Sequence, residues 1–548
     1  MFERQRHRRR GLVLPVMLLI LLLLGLLAAS FAFRVHADYS AMNAVAFGMH
    51  TRLAAEAGLQ SAMLLLRTQQ NNVAAWYNNP ELLNRVIVWT PDDETVWGTN
   101  REFDENVVAY RFSLVADDPL DDLQRCRYGI TDESAKLNIN TATGPQLRRL
   151  IAQIATKDMV VDQLVDALLD WRDADDTVRE SGAEAPYYAG LKTPYRPKNG
   201  PFDTVEELLL VRGFNGRVLY GEDFDRNGIF TPNEDDGDKS FPEDDSDGLL
   251  NRGMYPYVTA ISRDSNLDAQ NRPRIFLYGN ADQVRSALSE FFDEAKVEFI
   301  MATVTGQSGN GQNSDDQGAG DQTGQDATPV EGDQARRSQV QPSDQDADDG
   351  QDQNETDPSQ EPPGQGPSTG SGAGSGTATP RLNSPADLLT APDPNPLTTD
   401  DLPILMANTT TQDPLRPQEG LINVLTAPPQ VLRCLDGLDG NAIGGILSAR
   451  AELDEEERAD TAWLVTRGIL SLEDYARVAP QLTVRGQQFT IEALGYADHI
   501  GTVSRLQVIV EMRGPVAQVI YYRDLTNLGA AFPIRRNEAE LGFEGKRG

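Results

Sequence analysis

The sequence predicts an α+β protein: a very long N-terminal helix, an antiparallel sheet built from strand-like runs toward both ends of the chain, and a large α-helical region between them. Three observations carry this. An uncharged run from Gly11 to Phe33 passes into Ala-rich, helix-periodic sequence as far as about Gln70. Runs with apolar–polar alternation occur within 85–135 and 486–534. In the middle, Lys136-Leu137-Asn138-Ile139-Asn140-Thr141-Ala142 returns as Leu421-Ile422-Asn423-Val424-Leu425-Thr426-Ala427. Each copy leads into apolar residues at three- and four-residue spacing.

Residues 1–11 carry Arg4, Arg6, Arg8, Arg9 and Arg10. Residues 12–33 would form a helix of about 33 Å, enough for a bilayer core of about 30 Å. The leading arginines place the N-terminus on the cytoplasmic side. A secretory signal has an apolar stretch of only about 7–15 residues, which this run exceeds. Residues 34–70 continue as an Ala-rich amphipathic helix beyond the membrane. A basic leader before one long half-membrane helix resembles the type IV pilins and pseudopilins. The Gly11–Leu12 junction resembles the cleavage site of the prepilin peptidase, so the resemblance implies processing between Gly11 and Leu12, with methylation. Two positions depart from the pattern: Leu12 stands where Phe or Met is usual, and Val16 where most subunits have Glu. The tip-capping minor pseudopilins of type II secretion also lack that Glu, and an intramembrane carboxylate with no amine partner would be costly. A plain signal anchor is the rival reading of this segment.

Strand-like runs follow at Arg85–Trp89, Val107–Val115 and Arg127–Asp132; the second alternates as a half-buried strand should. The first helical module is expected over 136–304. It carries Leu147, Leu150, Ile151 and Ile154, then Val161 to Leu168, then Asp170-Trp171-Arg172-Asp173-Ala174-Asp175-Asp176. Pro194–Phe202 reads as an ordered loop, and Thr204 with Glu207 as a capping box before Leu208–Val211. In this order the series is similar to the α-helical domain of the general secretion pathway protein K family, the minor pseudopilins at the tip of the type II secretion pseudopilus. Paired carboxylates in 170–176 could serve acid–base chemistry. With Arg172 among them and no nucleophile nearby, a loop held by Asp–Arg pairing is the better reading.

Asp223-Phe224-Asp225-Arg226-Asn227-Gly228-Ile229-Phe230-Thr231-Pro232-Asn233-Glu234 matches the calcium-loop pattern D-x-[DN]-x-[DN]-G-x5-E. Calcium takes six to eight oxygens, and Gly at position six permits the turn that converges them. Asp223, Asp225 and Asn227 would give side-chain oxygens, Ile229 its carbonyl, Thr231 a direct or water-borne oxygen, and Glu234 a bidentate carboxylate. Pro232 and the absence of an amphipathic exiting helix make this a calcium-stabilised loop rather than a sensor. A second site from Asp236, Asp238, Asp244, Asp245 and Asp247 is an expectation without a register. The family's calcium in its helical domain supports calcium as the ion.

A helix is expected at Asp282–Phe292. From 305 to 380 the chain is acidic, polar and nearly free of aliphatics, the composition of a disordered linker. A second helical module spans 381–485. In it Leu432–Ile443 reads as a helix-hairpin-helix, and Ser471–Val478 echoes Thr204–Val211; two such SAM-like modules would face one another. Strands at Gln488–Gly495, Thr502–Met512 and Ala517–Arg523 fall within 486–534. If they pair with the early strands, the modules are one insertion into a pilin-like sheet, as the family resemblance implies. Residues 535–548 form a polar tail.

The net charge is −34, of which residues 222–247 carry −9 and the linker −12. That disfavours a nucleic-acid partner, as do Asp436 and Asp439 beside the hairpin glycine. Cys126 and Cys434 exclude a disulfide-dense scaffold, and nothing requires that they be bridged. The four histidines have no ligand or triad spacing, so an enzyme is not expected. The resemblance implies an inner-membrane, single-pass subunit whose bulk is periplasmic. Its expected partners are other minor pseudopilins of the tip complex, the prepilin peptidase, the inner-membrane secretion platform, and lipid around 12–33. The rivals are a membrane-anchored hairpin protein for DNA uptake and an anchored calcium-dependent interaction protein.

Overall fold

The computed structural model describes residues 13–90, 109–118, 126–155, 159–231, 234, 236–237, 239, 244, 246–268, 270–306, 381–497, 501–529 and 532. Gly11, Leu12 and the linker from 307 onward lie outside them, as does the tail from 533.

One helix runs from Val13 to Gln69. Among the described residues it is the one helix long and apolar enough to cross a membrane, and its most apolar window packs against nothing in the chain. The helix then lies across a sheet, burying Ala54, Ala55, Leu59, Ala62, Leu65 and Leu66. Small residues let the two backbones approach. A Cβ on Gly495 would stand 1.9 Å from the Thr51 carbonyl oxygen and 2.4 Å from the Ala55 nitrogen. Polar contacts fix the helix in place: Thr51 Oγ1 to Ser504 Oγ at 2.9 Å, and Arg52 to Asp524 at 2.9 Å.

The sheet is an antiparallel meander of β1 (Val86–Trp89), β2 (Tyr110–Val115), β3 (Gln488–Ala497), β4 (Val503–Arg513) and β5 (Val516–Asp524). Its seam pairs β2 with β3, from Glu492↔Val115 to Ala497↔Tyr110. Thr131–Asp132 extends that seam, Asp132 opposite Phe489. The early and late strands therefore form one sheet, and everything between is inserted. Phe489, Ile491 and Ala493 of β3, with Leu506, Val508, Val510 and Met512 of β4, face the helix. The alternate positions Gln488, Arg505, Gln507 and Glu511 are buried too, because the inserted region covers the second face. For the same reason β2 is buried along its whole length rather than half-exposed as its alternation predicts.

The inserted region repeats itself bond for bond. Leu137–Asn138 pairs in parallel with Val258–Thr259, and Ile422–Asn423 with Leu482–Thr483. The Ile139 N–H donates to Thr259 O at 2.8 Å, and the Val424 N–H to Thr483 O at 2.9 Å. In each copy an arginine at the end of a helix caps the same two carbonyls. Arg172 donates to those of Ile139 and Ala142, and Arg450 to those of Val424 and Ala427. Arg172 is thus spent on backbone; the Asp170 and Asp173 carboxylates pair with Arg179 instead. No capping box forms at Thr204. Glu207 accepts the Trp171 indole N–H at 2.9 Å and the Asp203 N–H at 3.0 Å, so Val205–Leu210 is a 3-10 turn. The buried indole donor outcompetes the cap.

The two copies share a core that includes Leu150, Leu168 and Trp171 with Leu432, Ile446 and Trp463. Arg149, on the helix Gly144–Ile154, donates to the Cys434 carbonyl at 2.8 Å and pairs with Asp436. A smaller cluster joins Val284, Leu288 and Ile300 to Leu388 and Leu405. There the helix expected to reach Phe292 ends at Leu288, and a new one starts at Glu294. Cys126 and Cys434 are both free thiols.

Gly495→Val should destabilise the sheet by about 1–3 kcal/mol, because the side chain meets helix backbone that cannot rotate away. Denaturant unfolding of the detergent-solubilised protein, followed by near-ultraviolet circular dichroism, measures the loss.

Candidate metal centre

The segment after Tyr220 leaves and returns through a narrow neck. Gly221 (φ +64°) and Gly253 (φ +60°) cross so closely that a Cβ on either would enter the other strand's backbone, 2.0 Å from Asn251 O and 2.5 Å from Gly221 N respectively. The Glu222 N–H donates to Asn251 O at 2.7 Å, and the Asn251 N–H returns to Glu222 Oε2 at 3.0 Å. Between these points the chain forms the acidic loop.

Within it three carboxylates of the motif come together. The carboxylates of Asp223, Asp225 and Glu234 bring ligand oxygens within 4.8 Å of one another. The turn is built around Asp223, which accepts the Asn227 N–H at 3.0 Å and the Gly228 N–H at 3.0 Å. Gly228 has φ +69°, and Arg226, a non-glycine residue, has φ +58°. Asn227 is buried; its Nδ2 donates to Asp225 at 3.1 Å and its Oδ1 accepts the Ile229 N–H at 2.5 Å. Thr231 donates both its N–H (2.9 Å) and its hydroxyl (2.7 Å) to Glu234 Oε2.

The electrostatics of the group are those of crowded carboxylates. Burial, with the charges of Asp225 and Asp117 adding to it, pushes Asp223 up to about 7. Burial and Glu234 push Asp225 up to about 6, although Arg505 pulls it down. Burial pushes Glu234 up to about 7, against the hydrogen bonds from Thr231. A hard, all-oxygen donor set whose members repel one another fits a divalent cation.

Three residues outside the motif belong to this site, none of them marked by a local pattern. Asp117, just past β2, packs on Gly228: a Cβ there would stand 2.1 Å from Asp117 Oδ1. Arg252, at the loop's exit, pairs with Asp117 at 3.0 Å. Arg505, fully buried on β4, donates to the carbonyls of Asp225 and Arg226, each at 2.7 Å.

Among the described residues, Asp236, Asp244 and Asp247 of the expected second cation site form no carboxylate cluster. Asp238 and Asp245 lie outside the described residues. Asp244 organises a turn instead, accepting the N–H groups of Asp236 (3.0 Å), Gly237 (2.9 Å) and Ser246 (2.8 Å). Asp247 accepts the Leu249 N–H at 2.8 Å.

In the metal-free protein the raised carboxylate pKa values carry a sign. The folded loop binds more protons than the unfolded chain between about pH 4 and pH 7, so its stability falls as pH rises through that window. Hydrogen exchange of residues 220–231 in a chelator should speed up from pH 5 to pH 8 beyond the intrinsic base-catalysed trend. Saturating calcium should abolish the excess.

Residues 120–220 match the family model described as type II secretion system (T2SS), protein K. A type II secretion system protein K of Aeromonas hydrophila is 26% identical over 218 residues, which cover 39% of this chain and 61% of that relative. The protein of the same name from Pseudomonas aeruginosa is 36% identical over 103 residues, covering 17% of this chain and 31% of that one. The chain thus spans less than two thirds of the length of the curated relatives it matches. A chain in the crystal structure of a GspK-GspI-GspJ complex from enterotoxigenic Escherichia coli aligns over 90% of this chain at 12% identity, with a TM-score of 0.28. Over residues 120–220, the segment that leads away from the sheet, the chain is similar to the type II secretion system protein K family.

Proposed function

We propose that this chain is a minor pseudopilin at the tip of a type II secretion pseudopilus, needed for pseudopilus initiation and for protein export across the outer membrane. Its role is assembly rather than catalysis. The observation that carries the reading is the helix Val13–Gln69, which is apolar on two faces beyond its lipid-spanning half. One face is buried on the sheet. Along the other, Met42, Val45, Met49 and Leu53 stand exposed at three- and four-residue spacing. This is the seam that a neighbouring helix would fill. The inserted helical region adds bulk on the opposite side of the sheet, which suits a subunit with no neighbour stacked above it.

In this reading the prepilin peptidase cuts between Gly11 and Leu12, and the new N-terminus is methylated. Residues 12–33 then hold the subunit in the inner membrane beside the secretion platform, with the bulk of the chain periplasmic. The two inserted repeats act as helix-hairpin-helix, SAM-like packing modules. Gly437, with φ +97°, makes the hairpin turn, and Arg149 of the first repeat covers its Asp436. That contact takes up hairpin surface a nucleic acid would need, so DNA uptake is not favoured. Asp223, Asp225, Asn227, Ile229, Thr231 and Glu234 bind calcium, which would supply positive charge among three mutually repelling carboxylates.

N-terminal sequencing of the protein from membranes tests the assembly reading: Leu12 as first residue is expected, and an intact Met1 would sink it. Asp225→Asn should weaken calcium binding at least tenfold by isothermal titration calorimetry. If the unaltered protein showed no calcium heat and no change in melting temperature with a chelator, the metal assignment would be wrong.

A further inference from the structure

The metal loop belongs by sequence to the inserted helical region, but its interior is anchored on the sheet. Ile229, the residue whose carbonyl is the proposed ligand, buries its side chain in a cluster with Val115 of β2 and with Leu494 and Tyr496 of β3. From β4, Arg505 reaches the same loop with both terminal nitrogens, one to Asp225 O and one to Arg226 O at 2.7 Å each, while its Nε holds Glu492 of β3. Gln507 completes that carboxylate, donating to Glu492 Oε2 at 3.1 Å. The guanidinium makes no side-chain pair with Asp223, Asp225 or Glu234; it is turned to backbone.

The consequence is conformational. Two consecutive carbonyls can point at one planar fork only if the peptide planes at 225 and 226 are turned outward, and Arg226 takes its left-handed φ of +58° in that turn. An L-residue enters this region at a cost that the surroundings must hold. With those carbonyls directed to the sheet, the following N–H groups of Asn227 and Gly228 face Asp223 and fold the ligand carboxylates together.

We infer that Arg505 is a positioning residue for the metal site, and that cation binding and the docking of the inserted region onto the sheet are thermodynamically coupled through it. This rests on the calcium reading given above. Linkage makes the coupling reciprocal: a cation tightens the grip of the loop on β4, and the grip of β4 raises the affinity for the cation. A lysine cannot serve, because a single ammonium does not span two carbonyls in the plane of a fork.

The test uses the full chain in detergent, with calcium or a chelator. Three proteins are compared: unaltered, Arg505→Lys, and the charge-balanced pair Arg505→Gln with Glu492→Gln, which leaves no buried unpaired carboxylate. The readouts are calcium affinity by calorimetry and the difference between calcium-loaded and chelated melting temperatures. Expected is a loss of affinity of about tenfold or more and a reduced calcium increment in both variants. A merely structural Arg505 would lower both melting temperatures equally and leave the affinity unchanged, which overturns the inference while the metal reading stands. Absence of calcium binding by the unaltered protein overturns both. Should the variants not fold, hydrogen exchange of the unaltered protein decides. Calcium must slow exchange in β4 around Arg505 and at the Leu525 N–H, which donates to Arg505 O at 2.8 Å. Slowing confined to 220–231 overturns the coupling.

Discussion

The seam between β2 and β3 is the constraint on which the molecule depends. Residues 110–115 must meet residues 492–497 in a fixed register, so a chain segment of several hundred residues has to leave and return at one edge. Slipping that register by one residue would exchange the faces of every side chain along it. At this seam both faces are covered, one by the long helix and one by the insertion, so a slip of β3 would put Glu492 under the helix. The repeats obey a smaller version of the same rule. Each opens with a strand that pairs in parallel with its own closing strand, bringing the ends of the module together.

Closure of this kind needs joints that tolerate burial, and the chain uses carboxylates facing hydroxyls and amides. Glu133 takes the Thr259 hydroxyl at the end of the first repeat and the Thr490 hydroxyl from β3. Asp132, next to it and paired with β3, takes Asn423 Nδ2 at 2.7 Å and Thr426 Oγ1 at 2.9 Å at the start of the second repeat. Asp264 takes the Thr483 hydroxyl at that repeat's end. Each joint ties one module boundary to another element through neutral donors, and Glu133 pairs with Lys136 at 2.7 Å as well. A buried hydrogen bond to a charged acceptor contributes about 1.5–3 kcal/mol net. At Asp132 and Asp264 the joints are made by neutral donors alone.

What the sequence made legible follows locality. The long helix and the late strands showed in periodicity alone, because each is a long run with one dominant spacing. The motif of the candidate metal site showed because its carboxylates are neighbours in a fixed register around Gly228. Arg505 and Asp117 did not, since they reach the loop from strands far away in sequence. The burial of the polar positions of β4 is hidden for a related reason: a second covering layer, distant in sequence, buries Gln507 and Glu511. Arg172 read as the partner of its neighbouring aspartates. Its match with Arg450 becomes visible only once the two sets of capped carbonyls are compared.

The joints and the metal loop also show why buried carboxylates do not all mean the same thing. Asp132 is wholly buried; burial raises it to about 6, the charge of Glu133 adds to the rise, and three neutral donors oppose it. Asp223 likewise receives two backbone N–H groups, but Asp225 and Asp117 add their charge, and it rises to about 7. Two like charges about 5 Å apart repel by about 3 kcal/mol at an effective dielectric near 20. Neutral hydrogen bonds can satisfy lone pairs, but they cannot remove that repulsion; only a proton or a cation can. Above about pH 7 the protons leave Asp223 and Glu234, and a cation is what remains. A group of carboxylates held together by its own backbone turn, and by an arginine bonded to the loop carbonyls, is the arrangement that the proposed cation would complete.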